Sequence, residues 1–170
     1  VLALVVAPRS SFAVGPVSKE HQIKAAFLYN FTRYVDWPAE RFESDEAPLV
    51  IVVLGRHPIE QELASLAKER SARGRPVLVR AADSAAELGA AHLVFVPAGE
   101  ESRLPPAPDT LHGVLTVGES PEFTRRGGVI TFTVLESKIR FEINQTAGER
   151  ARLKLSGQLL KLATVLRKEP

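Results

Sequence analysis

Leu49-Val50-Ile51-Val52-Val53-Leu54 is an unbroken apolar run that stops at Gly55. A strand with no polar alternation has no face fit for water, so it belongs inside a sheet covered on both sides. The following segments can supply that cover. Residues 58–70 carry Ile59, Leu63, Leu66 and Ala67 at helical spacing, and Gly74 closes the segment. Pro76–Ala81 reads as a second strand, Ser84–Ala91 as a short helix capped by Ser84, and Leu93–Val96 as a third strand stopped by Pro97. This strand–helix–strand–helix–strand order predicts right-handed crossovers and a parallel sheet. Glu100–Pro108 is proline-rich and reads as loop. Val114–Val117 reads as a fourth strand ending at Gly118, and Pro121–Arg125 as a short helix before a Gly127-Gly128 turn.

The pattern then changes. Val129–Val134 and Lys138–Ile143 are β-rich runs joined by a short polar turn, which predicts an antiparallel hairpin. In the second run Ile139, Phe141 and Ile143 alternate with Lys138, Arg140, Glu142 and Asn144, giving one apolar and one charged face. Residues 145–168 read as helical with a break at Ser156-Gly157, because a glycine inside a helix costs about 1 kcal/mol. Ser156 then caps a final helix carrying Leu159, Leu162, Ala163 and Leu166.

At the other end, residues 18–37 read as a helix capped by Ser18 and ended by Pro38. Ile23, Phe27, Phe31 and Tyr34 fall on one face, with Asn30 among them, and His21, Gln22, Tyr29, Thr32, Arg33 and Asp36 on the other. Residues 1–7, VLALVVA, are entirely apolar and are followed by PRSSFA, whose Ser11-Phe12-Ala13 fits a small-x-small cleavage pattern. Residues 1–13 are therefore expected to be the tail of a secretory signal peptide, and residues 14–170 a single α/β domain. The expected fold is a mostly parallel sheet with flanking helices in a Rossmann-like three-layer arrangement, followed by the antiparallel hairpin and a terminal helix.

Composition narrows the function. Lys and Arg total 22 against 20 Asp and Glu, a net charge of +2, which lacks the basic excess of a nucleic-acid binder. With no cysteine there is no disulfide and no thiolate for catalysis or metal binding. The sequence shows no G-x-S-x-G elbow, no dinucleotide fingerprint and no phosphate loop, and none of His21, His57, His92 and His112 is paired at metal-ligand spacing. No catalytic residue, metal or cofactor is expected.

Two groups of residues stand out as binding candidates. Arg56 and His57 follow the first parallel strand, and Glu119 and Ser120 follow the fourth; open α/β sheets bind ligands at such strand ends. A small-molecule effector is the ligand this reading allows. Tyr29, Arg33 and Trp37 around the first helix are of the types that anchor protein interfaces. Arg140, Glu142 and Asn144 share the charged face of the hairpin, as a structural ion-pair network or as a partner contact.

Three segments together resemble the YfiR/HmsC-like family. They are Ile23–Pro38, with its KAAFLYNF core and closing Trp-Pro; Leu115–Glu119 with Phe123 and Gly127-Gly128-Val129-Ile130; and Ile139–Asn144 leading into Leu153–Ser156 and Leu159–Ala163. The ordered set covers nearly all of residues 14–170. The resemblance implies a small periplasmic α/β protein without enzymatic activity. It implies binding to the periplasmic sensor region of a membrane-bound diguanylate cyclase, or of a related sensor, which is held inactive; release raises cyclic di-GMP and favours biofilm. Self-association as a homodimer is compatible with the family. Redox control through disulfides, found in some members, cannot operate in a chain without cysteine. A periplasmic small-molecule-binding sensor module is the alternative reading, and neither reading involves nucleic acid or a membrane span.

Overall fold

The computed structural model describes residues 18–166. The segment read as a signal-peptide tail, residues 1–13, lies outside the described residues, as does the end of the segment 145–168. In chain order the elements are α1 (Lys19–Tyr34), β1 (Val35–Asp36), β2 (Leu49–Leu54), α2 (Ile59–Lys68), β3 (Val77–Ala82), β4 (Leu93–Val96), β5 (Leu115–Gly118), β6 (Ile130–Leu135), β7 (Lys138–Asn144), α3 (Gln145–Arg150), β8 (Lys154–Leu155), α4 (Gly157–Leu162) and β9 (Thr164–Leu166). Seven strands form one sheet in the order β3-β2-β4-β5-β6-β7-β9. All neighbours are parallel except the β6–β7 hairpin, and β1 pairs separately with β8, antiparallel. This is the α/β class with a mostly parallel, helix-flanked sheet that the sequence predicts.

The apolar run behaves as its composition requires. Leu49, Ile51 and Val53 point into one core with Ala25, Leu28, Phe31, Ile59 and Leu63, beneath α1 and α2. Val50, Val52 and Leu54 point into a second core with Leu88, Leu104 and Phe123. That second face is covered by short 3-10 turns, Ala85–Glu87 and Glu101–Arg103, where the sequence reading puts a helix over Ser84–Ala91. The helix fails to extend because Gly89 takes a left-handed φ of 44° directly after the turn. Pro121–Arg125 likewise forms turns, not a helix. It delivers Phe123 onto the sheet, where the ring sits so close that a Cβ on Gly118 or Gly128 would lie 2.4 or 2.2 Å from it. The C-terminal segment also departs from the reading. Ser156 Oγ accepts from Leu159 N–H and caps α4 as predicted, but α4 is only six residues long and the chain returns to the sheet as β9.

Helix α1 is rotated about its axis relative to the face drawn from sequence. Its buried residues are Lys24, Ala25, Leu28, Tyr29, Phe31 and Thr32, whereas Ile23 is 38% exposed and Asn30 is at the surface. The helix packs against both the sheet and α2, so small residues such as Ala25 and Thr32 are buried and the apolar stripe alone does not locate the contact. The helix also stops at Tyr34, and Val35–Asp36 becomes β1, paired with β8.

Two predicted interface anchors are consumed by this packing. Tyr29 is 3% exposed, and its hydroxyl donates to Ser71 O at 2.8 Å, fastening α1 to the loop after α2. Trp37 is 9% exposed, and its Nε1–H donates to His92 O at 2.8 Å. Both are therefore structural and offer no surface anchor. Trp37 begins a strap that crosses the start of β4. Phe42 stacks on the His92 ring at 4.2 Å, Arg75 lies 3.9 Å from the Phe42 centroid, and Arg41 donates to Ala91 O at 2.7 Å.

His92 is the keystone of this strap. Its Nδ1 accepts from Val50 N–H at 3.1 Å and its Nε2 lies 3.1 Å from Arg41 O, so the ring is held neutral with the proton on Nε2. Burial is the main cause that brings its pKa down to about 4; the bond to the Arg41 carbonyl opposes this, and the Arg41 and Arg75 charges reinforce it. Above pH 6.5 the imidazole is neutral in both folded and unfolded chains, and its contribution to stability is complete. As pH falls from 6.5 toward 4 the unfolded chain takes up the proton first, so stability declines, by about 3 kcal/mol in all. Urea denaturation across this range is expected to show that decline. A His92→Asn variant, less stable at pH 7, is expected to show a flatter acid limb.

Candidate functional site

The parallel strands direct the ends of β2, β4 and β5 to one edge of the sheet, and α1 crosses the sheet so that its first turns overhang that edge. Between them lies a cavity of about 600 Å³, lined by Glu20, His21 and Lys24 of α1, His57 after β2, Ala98 after β4 and Glu119 after β5. Phe132, Thr133 and Val134 of the hairpin form its wall. The location agrees with the general position of ligand sites in open α/β sheets.

Lys24 is the centre of this site. Only 9% of its side chain is exposed, yet it carries an ammonium, and two carboxylates meet it: Glu119 at 2.7 Å and Glu20, one helical turn back, at 2.5 Å. Burial on its own pushes the Lys24 pKa down, but the hydrogen bonds and charges of Glu119 and Glu20 outweigh it, and the net direction is up. The hydrogen bond from Lys24 holds the Glu20 carboxyl below its ordinary range. Glu119 uses its second oxygen to accept from Ala98 N–H at 3.1 Å. One carboxylate therefore joins α1, the loop after β4 and the loop after β5.

The histidines flank this group. The rings of His21 and His57 meet edge to face with centroids 4.8 Å apart, and His57 also contacts Phe95. His57 Nδ1 accepts from Ile59 N–H at 3.2 Å. Burial, partly countered by Glu119, lowers its pKa and keeps it neutral. His21 Nδ1 is buried with no hydrogen-bond partner among the described residues. Ser120 donates its hydroxyl to Glu101. Lys24 is thus met by two carboxylates, and His57 Nδ1 already accepts a backbone hydrogen bond.

Of the residues singled out from sequence, the structure brings His57 and Glu119 into the cavity, whereas Ser120, next to Glu119 in the chain, is outside the lining and bonded to Glu101. Arg56 is exposed and outside the lining. Arg33 and Arg140 are exposed, and Glu142 is half-buried. Arg140 and Glu142 form no ion pair with each other among the described residues. Asn144 is a structural cap: its Oδ1 accepts from Ala147 N–H at 2.9 Å and its Nδ2 donates to Thr124 O at 2.8 Å. Sequence reasoning passed over Glu20, His21 and Lys24 as site residues. The signal that points to them is the Glu20–Lys24 spacing of four on a helix whose lysine is followed directly by a run of apolar residues.

Breaking a buried ion pair strands a charge, at a cost of roughly 3–5 kcal/mol, whereas an exposed pair contributes about 0–1 kcal/mol. Glu119 has 13% of its side chain exposed and Glu20 has 54%. Glu119→Ala is therefore expected to destabilise by about 3 kcal/mol and Glu20→Ala by less than about 1 kcal/mol, measured by urea denaturation at pH 7. Equal effects would contradict this division of roles.

No curated protein sequence matches the chain. The family model described as YfiR/HmsC-like matches residues 21–164, from the first turn of α1 to the start of β9, taking in the strap, the hairpin and the charged crevice except Glu20. On the strength of that span, the chain belongs to the YfiR/HmsC-like family.

Proposed function

We propose that this protein is a periplasmic, non-enzymatic regulator. It binds the extracytoplasmic sensor region of a membrane-bound diguanylate cyclase, or of a related sensor, and holds it inactive. Its release raises cyclic di-GMP and favours biofilm. The family match over residues 21–164 carries this reading. The crevice supports it, because its charged groups are spent on each other and on the loops they tie together. Among the described residues no helix is long and apolar enough to cross a membrane.

The hairpin tip is the surface best suited to that partner. Val134 and Leu135 are 67% and 64% exposed beside a two-residue turn in which Glu136 and Ser137 both have positive φ. Arg140 is exposed on the returning strand, and apolar residues beside an arginine form a common anchor composition at interfaces.

A second reading, a small-molecule effector bound in the cavity of His57 and Glu119, is compatible with the first. An effector that displaced Glu119 from Lys24 would loosen two loops and α1 together, and would shift partner affinity by linkage.

The test is binding of the purified chain to the isolated sensor region of its cognate cyclase by calorimetry. The intact chain is expected to bind. A Val134→Asp, Leu135→Asp double variant is expected to bind at least about tenfold more weakly with an unchanged melting temperature. Failure of the intact chain to bind would contradict the regulatory reading, and full affinity in the double variant would move the interface away from the hairpin tip.

A further inference from the structure

A second cavity, of about 550 Å³, lies between the turn at residues 124–127 and α3, and shares no lining residue with the crevice at the strand ends. We propose that it is a binding site for a small polyanion carrying phosphate or carboxylate groups. Three arginines line it, Arg125, Arg126 and Arg150, against a single acidic residue, Asp109. Arg150 is committed to Asp109 at 3.0 Å, and Arg125 to Glu122 at 3.0 Å outside the cavity. Arg126 is exposed and meets no carboxylate at ion-pair distance among the described residues. The lining thus carries a net positive charge in the residue type whose planar fork matches phosphate and carboxylate oxygens.

Thr124 stands behind the lining, fully buried; its N–H donates to Thr131 Oγ1 and its carbonyl accepts from Asn144 Nδ2. The floor is fixed before any ligand arrives. Asn144 ties the turn to α3 from both ends of its amide, and Gly127, at φ 98°, keeps the space beside Asp109 free of a side chain. Rigid donors around a ready space lower the ordering cost of binding. This inference does not rest on the partner-binding reading.

The test uses pyrophosphate and citrate as probes of the two anion chemistries, followed by calorimetry and thermal shift on the whole chain at physiological salt. At least one probe is expected to bind and raise the melting temperature. Arg126→Ala, which breaks no ion pair, is expected to weaken binding by about tenfold or more, and Lys68→Ala, exposed on α2, to leave it unchanged. The proposal is overturned if neither probe binds at millimolar concentration. It is equally overturned if Arg126→Ala leaves affinity untouched, or if Arg126→Ala and Lys68→Ala lower affinity alike, which is the signature of general charge screening.

Discussion

The Lys24 ammonium is carried into the crevice between α1 and the sheet, and the seat of that helix depends on neutralising it. An uncompensated charge in that position is costly, so the buried Glu119 carboxylate is the essential neighbour, with the exposed Glu20 adding to it. Glu119 stands at the end of β5 and also accepts from the loop after β4. The ion pair therefore fixes where α1 crosses the sheet and orders the loops at its edge. The strap around Trp37 and His92 performs the matching task at the far end of α1, using a neutral imidazole and backbone carbonyls in place of charges. Between these two fastenings α1 seals the core that β2, β4 and β5 cannot leave open to water.

The sequence discloses the sheet far better than the helix that covers it. A strand buried on both faces announces itself by composition alone, and the alternation of Ile139, Phe141 and Ile143 with charged residues reveals the hairpin. Those signals are local. The orientation of α1 is not local, because Tyr29 and Thr32 are drawn inside by α2 and Ile23 is left out, and each outcome depends on residues dozens of positions away. For the same reason Trp37 and Tyr29 read as surface anchors until their partners, His92 O and Ser71 O, are in view. The return of the chain as β9 is hidden because Thr164–Leu166 acquires its strand character only from pairing with β7.

The site was legible in part for the same physical reason. Strand ends in a parallel sheet gather at one edge, so His57 and Glu119 were foreseeable from topology. The residues that meet them from α1 were not, since the crossing angle of a covering helix is set by packing. Asn144 illustrates the converse: a polar residue on a charged strand face proves to be a helix cap and a tie to the preceding turn.

On the proposed reading, the protein holds its partner through the exposed Val134 and Leu135 of the hairpin tip, while the charges of the crevice are paired with one another. The most direct test of that account is the cyclic di-GMP content of the native host with the protein removed and then supplied again. Removal is predicted to raise the nucleotide and resupply to return it to its starting level. Unchanged cyclic di-GMP through both steps would contradict the account.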